Sequence, residues 1–315
     1  MKNNLTQFIC KSSVIAVFAL TAASAHSQNF LVAEGTTAQL YSSGGILLGT
    51  FASGFGTIIG VAEGGGNIFI SDYLGGVTKY SSSGTSLGVV DTGNAGTYGP
   101  TGLAFTGGRI QTAGFNNGFV MSSAPDAGAE DGNPATPSSY LFYNGAGNSP
   151  HGMTSGAPNG FTGVYHTTVN QADNNSFLNY WEPGVSAIDN IITFGIGTNA
   201  RGVVADGSGN LFIALNQTGT IVRRDSVGNV TNWKVGLTSP VGLAIDGGNL
   251  FVSSFAGGIT AYDLGTGAAG ASFATAAGTQ YFIVTAIPEP STVGLLVIGG
   301  LGALVAIRRR RTQQA

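Results

Sequence analysis

Three side chains in this sequence have the types and spacing for acid–base chemistry. His151 and Arg201 each stand directly before a glycine, and His166 closes the run that follows Gly152. A neutral imidazole near pH 7 can take a proton, and a neighbouring guanidinium could stabilise an oxyanion. The same three residues would equally suit an ordinary polar rim. Other motifs carry less. Asp206-Gly207-Ser208-Gly209-Asn210 begins like a calcium loop, but the glutamate needed at the twelfth position falls at Gln217, so a β-hairpin turn is the better reading. The glycine-rich stretches lack a following Lys-Ser/Thr and do not read as phosphate cradles. Tyr80, Tyr180, Trp181, Trp233 and Tyr262 could stack on sugars, though such residues more often fill cores. No cofactor is indicated, and no metal-ligand set.

Composition limits the partners. Of 315 residues, 52 are glycine and only 9% are charged, against roughly a quarter charged in an ordinary soluble domain. Between residues 26 and 290 six basic residues face 15 acidic ones, a formal charge of −9. Nucleic acid is excluded as a partner, because binding phosphates needs a basic surface. The lone cysteine, Cys10, precedes residue 26, so the remainder forms neither disulfides nor thiolate metal sites.

The elements that must position the candidate residues come from a repeat. "GVVADGSGNLFIAL" (202–215), "GLAIDGGNLFVSSF" (242–255) and "GVAEGGGNIFISDY" (60–73) each read as strand, Gly/Asp/Asn turn, strand. Weaker copies run over 102–115 and 152–166, and a third strand follows several copies, as in "VTKYSSSG" (77–84). Second strands are expected to start at 29, 67, 109, 160, 210 and 249. Six copies of three or four strands predict an all-β, six-bladed β-propeller over 26–287. The first copy begins at its second strand, Phe30 to Ala33, so the lone strand-like run "YFIVT" at 281–285 is expected to supply the missing strand and close the ring. Polar insertions at 123–139 and 167–176 read as surface loops.

The ends address the chain. Lys2 and Lys11 precede an apolar run from Val14 to Ala22, and Ala23-Ser24-Ala25 follows, which reads as a signal peptide over 1–25 for the general secretion machinery. At the other end stand Pro288-Glu289-Pro290, an apolar segment at 292–307 that reads as a transmembrane helix, and Arg308, Arg309, Arg310 and Arg311, which stop transfer and hold that end in the cytoplasm.

That order of features over 288–311 resembles the PEP-CTERM sorting signal of Gram-negative bacteria. The resemblance implies cleavage by an exosortase, transient anchorage in the inner membrane, and association with exopolysaccharide. The glycine-bearing strand pairs resemble NHL-repeat and gluconolactonase/regucalcin-like propellers. In that family the residue before the inner-strand glycine sits near the channel mouth, and asparagine and aspartate there hold a divalent cation. Here those positions are Ile59, Thr101, His151, Arg201 and Val241, none a carboxylate or amide. Pro150-His151-Gly152 resembles the repeats of virginiamycin-lyase-like propellers, which use histidine as a base. The expected role is therefore a non-enzymatic binding or scaffold propeller at the cell surface or in the extracellular matrix. The alternative is a lactonase or lyase working at the channel mouth with His151, His166 and Arg201.

Overall fold

The computed structural model describes residues 28–91, 99–114, 119–123, 140–142, 148–156, 163–182, 188–273, 275 and 280–288. All regular structure among them is β. Five sheets are each built from four strands consecutive in the chain. The first of these holds β4 (Ile58–Gly64), β5 (Asn67–Asp72), β6 (Gly76–Ser81) and β7 (Ser86–Asp91). It follows β1 (Gln28–Glu34), β2 (Thr37–Tyr41) and β3 (Leu47–Ser53), which belong to the composite sheet described below. Next come β8 (Pro100–Thr106), β9 (Arg109–Gly114), β10 (Phe119–Ser123) and β11 (Tyr140–Phe142). The next sheet comprises β12 (Asn148–Ser155), β13 (Val164–Asn170), β14 (Asn175–Trp181) and β15 (Ile188–Ile196). Then follow β16 (Ala200–Ala205), β17 (Leu211–Leu215), β18 (Thr220–Arg224) and β19 (Val230–Lys234). The last of the five holds β20 (Pro240–Asp246), β21 (Asn249–Ser254), β22 (Ile259–Asp263) and β23 (Ala269–Phe273).

The sixth four-stranded sheet is composite. Its order is β24-β1-β2-β3, where β24 is Gln280–Pro288. The run "YFIVT" lies within β24, so the C-terminal strand joins the sheet of the N-terminal strands at the place that their phase predicts. Residues 29–287 form one compact unit.

The chain alternates strand and tight turn because its glycines permit it. At Gly65-Gly66, Gly107-Gly108 and Gly247-Gly248 both residues take positive φ, between 53° and 83°. Two consecutive left-handed residues make the two-residue hairpin turn that matches strand twist. The core lies between the sheets, not inside any one of them. Leu31 and Ala33 pack with Ile58, Ile68 and Ile70; Phe30 and Val32 on the opposite face of β1 pack with Ala244 and Phe251. Comparable clusters fill the remaining gaps between neighbouring sheets. This is why β17 is buried along its whole length, while the outermost β19 and β23 are largely exposed. The five aromatics considered for sugar stacking join this packing: Trp181 is fully buried, and Trp233 meets Phe212 and Tyr262 edge-on.

Two local expectations are corrected. The second strand of the fourth copy starts at Val164, not 160. Residues 167–176 are not an inserted loop: Thr167–Asn170 continue β13, and Asn175 already begins β14. The β-branched run Thr167-Thr168-Val169 favours strand. The reversal is compressed into a turn in which Asn170 Oδ1 accepts Ala172 N–H at 2.8 Å, Asp173 Oδ1 accepts Asn175 N–H at 2.9 Å, and Asn174 adopts φ 56°. Of the other expected loop, Ser123 ends β10 and 124–139 lie outside the described residues.

Candidate functional site

Four of the inner strands carry the same irregularity. In β8, β12, β16 and β20 a bulge follows Pro100, Pro150, Ala200 and Pro240 respectively, so two residues oppose one on the next strand. The second bulged residue is Gly102, Gly152, Gly202 or Gly242. Its lack of a side chain has a direct cause: a Cβ on Gly102 would overlap the carbonyl oxygen of His151, on Gly152 that of Arg201, and on Gly202 that of Val241. Neighbouring inner strands thus touch backbone to backbone. Hydroxyls tie them together. Ser71 donates to the Thr101 carbonyl at 2.7 Å, Thr101 to the Pro150 carbonyl at 2.9 Å, and Thr167 to the Arg201 carbonyl.

The bulge decides where the residue before each glycine points. Thr101 and His151 reach toward the next sheet around the ring, and both are buried. The central cavity, about 160 Å³, is lined instead by the residues after the glycines, Val61, Leu103, Met153, Val203 and Leu243, with Glu63 beside them. Positions 59, 101, 151, 201 and 241 do not line this cavity. Burial raises the Glu63 carboxyl above its ordinary range.

His151 and Arg201 do meet. Arg201 Nη1 lies 2.8 Å from His151 Nδ1 and 3.0 Å from Nε2. Arginine can only donate, so the ring nitrogen that it engages accepts. Burial first, and the Arg201 charge second, hold the His151 pKa well below the usual histidine range. The imidazole is neutral at pH 7 and packs against the guanidinium, with both ring nitrogens close to Arg201 Nη1. His166 is placed otherwise. It pairs in register with Met153 and Asn179 and is fully buried, which lowers its pKa to about 3.

The His151–Arg201 pair lines a small pocket between two sheets, about 190 Å³ in volume, and His166 is not among its walls. The sheet of β12 contributes Ser149, His151, Val169, Gln171 and Asn174; the sheet of β16 contributes Asn199, Arg201 and Gln217. Ser149 and His151 are buried, whereas Gln171, Asn174 and Gln217 stand exposed. Asn174 and Asn199 both hold left-handed backbone, φ 56° and 52°, as asparagine tolerates. The sequence does not point to the four amides because they lie on three separate turns, Gln171 and Asn174 between β13 and β14, Asn199 before β16 and Gln217 between β17 and β18. A larger recess of about 840 Å³ runs along the β20–β23 sheet, lined by glycines and small hydroxyl side chains such as Thr238, Ser254 and Ser272, with Tyr262 as its sole titratable wall residue among the described residues.

The Asp206 loop is a self-contained turn. Asp206 Oδ1 accepts the N–H groups of Ser208 and Asn210 at 2.8 Å, and Oδ2 accepts Asn210 Nδ2 at 2.6 Å. Asp225 and Asn229 repeat the arrangement. Among the described residues, no three His, Cys, Asp or Glu side chains gather as a metal site would need.

The C-terminal features are decided by comparison with known families. The description of the PEP-CTERM protein-sorting motif matches residues 286–311. The chain carries a PEP-CTERM motif. The PEP-CTERM motif implies export, transient anchorage at the membrane, and processing by an exosortase. Pro288 ends β24; Glu289, Pro290, the segment at 292–307, Arg308–Arg311 and the signal peptide at 1–25 lie outside the described residues. No helix among the described residues is long and apolar enough to cross a membrane. A comparison with curated proteins finds no match.

Ahead of the PEP-CTERM motif, the fold is that of known propellers. A chain of a nidogen/laminin complex is 15% identical over 83% of this chain and 99% of its own, with a TM-score of 0.65. Regucalcin from Agrobacterium tumefaciens, described as a calcium-binding protein, is 11% identical over 74% of this chain and 79% of its own, with a TM-score of 0.53. Virginiamycin B lyase from Staphylococcus aureus is 12% identical over 74% and 79%, with a TM-score of 0.52. At such identities the likeness is one of architecture alone.

Proposed function

We propose that this PEP-CTERM protein is an exported, exosortase-sorted β-propeller with a non-enzymatic binding or scaffold role at the cell surface or in the extracellular matrix, linked to exopolysaccharide. The PEP-CTERM motif directly behind a propeller carries the reading. The nidogen/laminin neighbour supports it as a propeller seen with a partner protein. The lactonase or lyase alternative rests on the His151–Arg201 pair and the likeness to virginiamycin B lyase. Against it, an imidazole held neutral by burial and by the Arg201 charge beside it is a weak base at neutral pH.

Sorting is tested by the mature C-terminus, read by mass spectrometry of envelope and medium fractions from the native host. The expected species ends near Pro288-Glu289-Pro290, and a host lacking its exosortase accumulates the uncut chain in the inner membrane. Replacing Pro288 and Glu289 produces the same trapped form. Peptides containing Arg311 as the main mature species would establish a permanent anchor and overturn the processed-signal reading.

A further inference from the structure

We propose that the pocket between the β12 and β16 sheets binds a small hydroxylated carboxylate, either a uronic acid residue of a polysaccharide or a free sugar acid. The inference rests on the binding role proposed above and names the ligand class of one site within it. Four observations converge. Arg201 places a permanent positive charge on the wall, and among the described residues no carboxylate lines the pocket. That is notable in a region with a formal charge of −9. Four carboxamides, Gln171, Asn174, Asn199 and Gln217, surround the opening. Each amide both donates and accepts, as a sugar hydroxyl does, so a ring of amides matches a polyol edge. The floor is ordered: Ser149 Oγ accepts from Gln171 Nε2, and His151 is buried against Arg201. The volume of about 190 Å³ is below the roughly 300 Å³ at which drug-sized pockets begin, which suits one sugar residue and not an oligosaccharide held along its length.

The pocket is built by packing, so it should be largely preformed. The two inner strands that flank it are locked by Gly152 against Arg201 and by the Thr167 hydroxyl on the Arg201 carbonyl. This holds the Arg201 backbone still while its guanidinium, against His151, forms part of the pocket wall.

The test is calorimetric titration of the purified full-length chain with glucuronate, gluconate, glucose and an oligouronate. Saturable binding of glucuronate, with glucose bound at least about tenfold more weakly, is expected, since a charge-assisted hydrogen bond is lost with the carboxylate. Arg201→Gln should weaken glucuronate by about tenfold or more and bring it level with glucose. Gln217→Ala, at an exposed position that leaves the core intact, should weaken both ligands. Lys79→Gln, on a different sheet, should change neither. Tighter binding of the oligouronate than of gluconate assigns the site to a polysaccharide end; the reverse assigns it to a free sugar acid. Glucuronate binding that fails to saturate, that glucose matches, or that survives both Arg201→Gln and Gln217→Ala overturns the proposal. If the ligand binds and an unsaturated sugar is then released, the pocket stands and the non-enzymatic reading falls. If the pocket binds nothing while the protein still partitions with host polysaccharide, the pocket falls and the binding role stands.

Discussion

His151 and His166 show how the same residue type, fifteen positions apart in one sheet, comes to different ends. One faces a pocket beside an arginine, and the other is sealed among β-strands, but both are held neutral by burial. Their folded pKa values are depressed, so the unfolded chain takes up protons below about pH 6.5 that the folded chain refuses. The stability they permit is complete above that pH and is lost as pH falls toward about 3, the value for His166. Between about pH 7 and pH 5 His166 should cost about 2 kcal/mol of unfolding free energy, and His151 adds a loss of the same sign. Urea unfolding at the two pH values measures it. His166→Gln should remove the His166 part of that loss, about 2 kcal/mol. An unchanged pH dependence in that variant would show that His166 titrates normally and is not sealed.

At the scale of the element, the unit that repeats is the bulged inner strand with its glycine. Gly102→Ala places a Cβ against the His151 carbonyl oxygen, a backbone atom that cannot swing aside. The expected cost is about 1–3 kcal/mol, as for overpacking in a core. Gly207→Ala is the control: nothing lies within 4 Å of its Cβ, and its φ is not in the left-handed region. That change should stay within about 0.5 kcal/mol, as at other surface sites. Thermal melts of the two variants beside the parent decide the matter. Equal melting temperatures would mean that adjacent inner strands do not meet as closely as Gly102 and His151 do here. The strand and turn pattern of these units was legible in the sequence, because Gly-Gly and Gly-Asn turns flanked by apolar runs admit little else. The bulge was not legible. Which of two residues before the turn faces the axis depends on hydrogen-bond register between strands, and the single-strand pattern does not record register.

At the scale of the whole molecule, β24 and β1 join the ends of the chain in one sheet. β1 is buried on both faces, against the β4–β7 sheet on one side and the β20–β23 sheet on the other. Ending the chain at Gly278 removes β24 and leaves the inner edge of β1 unpaired, which invites association. That truncation should melt lower than a chain ending at Pro288 and should form oligomers on size exclusion. Identical melting and a monomeric profile would show that β24 is dispensable to the ring.

Some of this protein was settled by sequence alone. The PEP-CTERM motif could be read without a structure, because the order of Pro288-Glu289-Pro290, apolar segment and Arg308–Arg311 is contiguous in the chain. The propeller could be read because each copy spells its own turns, and the partner strand for β1 because the first copy begins one strand short. The candidate site needed the fold. Sequence drew attention to His151, Arg201 and His166 together. Only tertiary structure turns the first two toward the gap between sheets, seals the third, and gathers Asn174 from one turn with Asn199 and Gln217 from others. The physical reason is that a turn residue's type reports its local backbone, whereas its neighbours across a blade gap are set by how whole sheets pack.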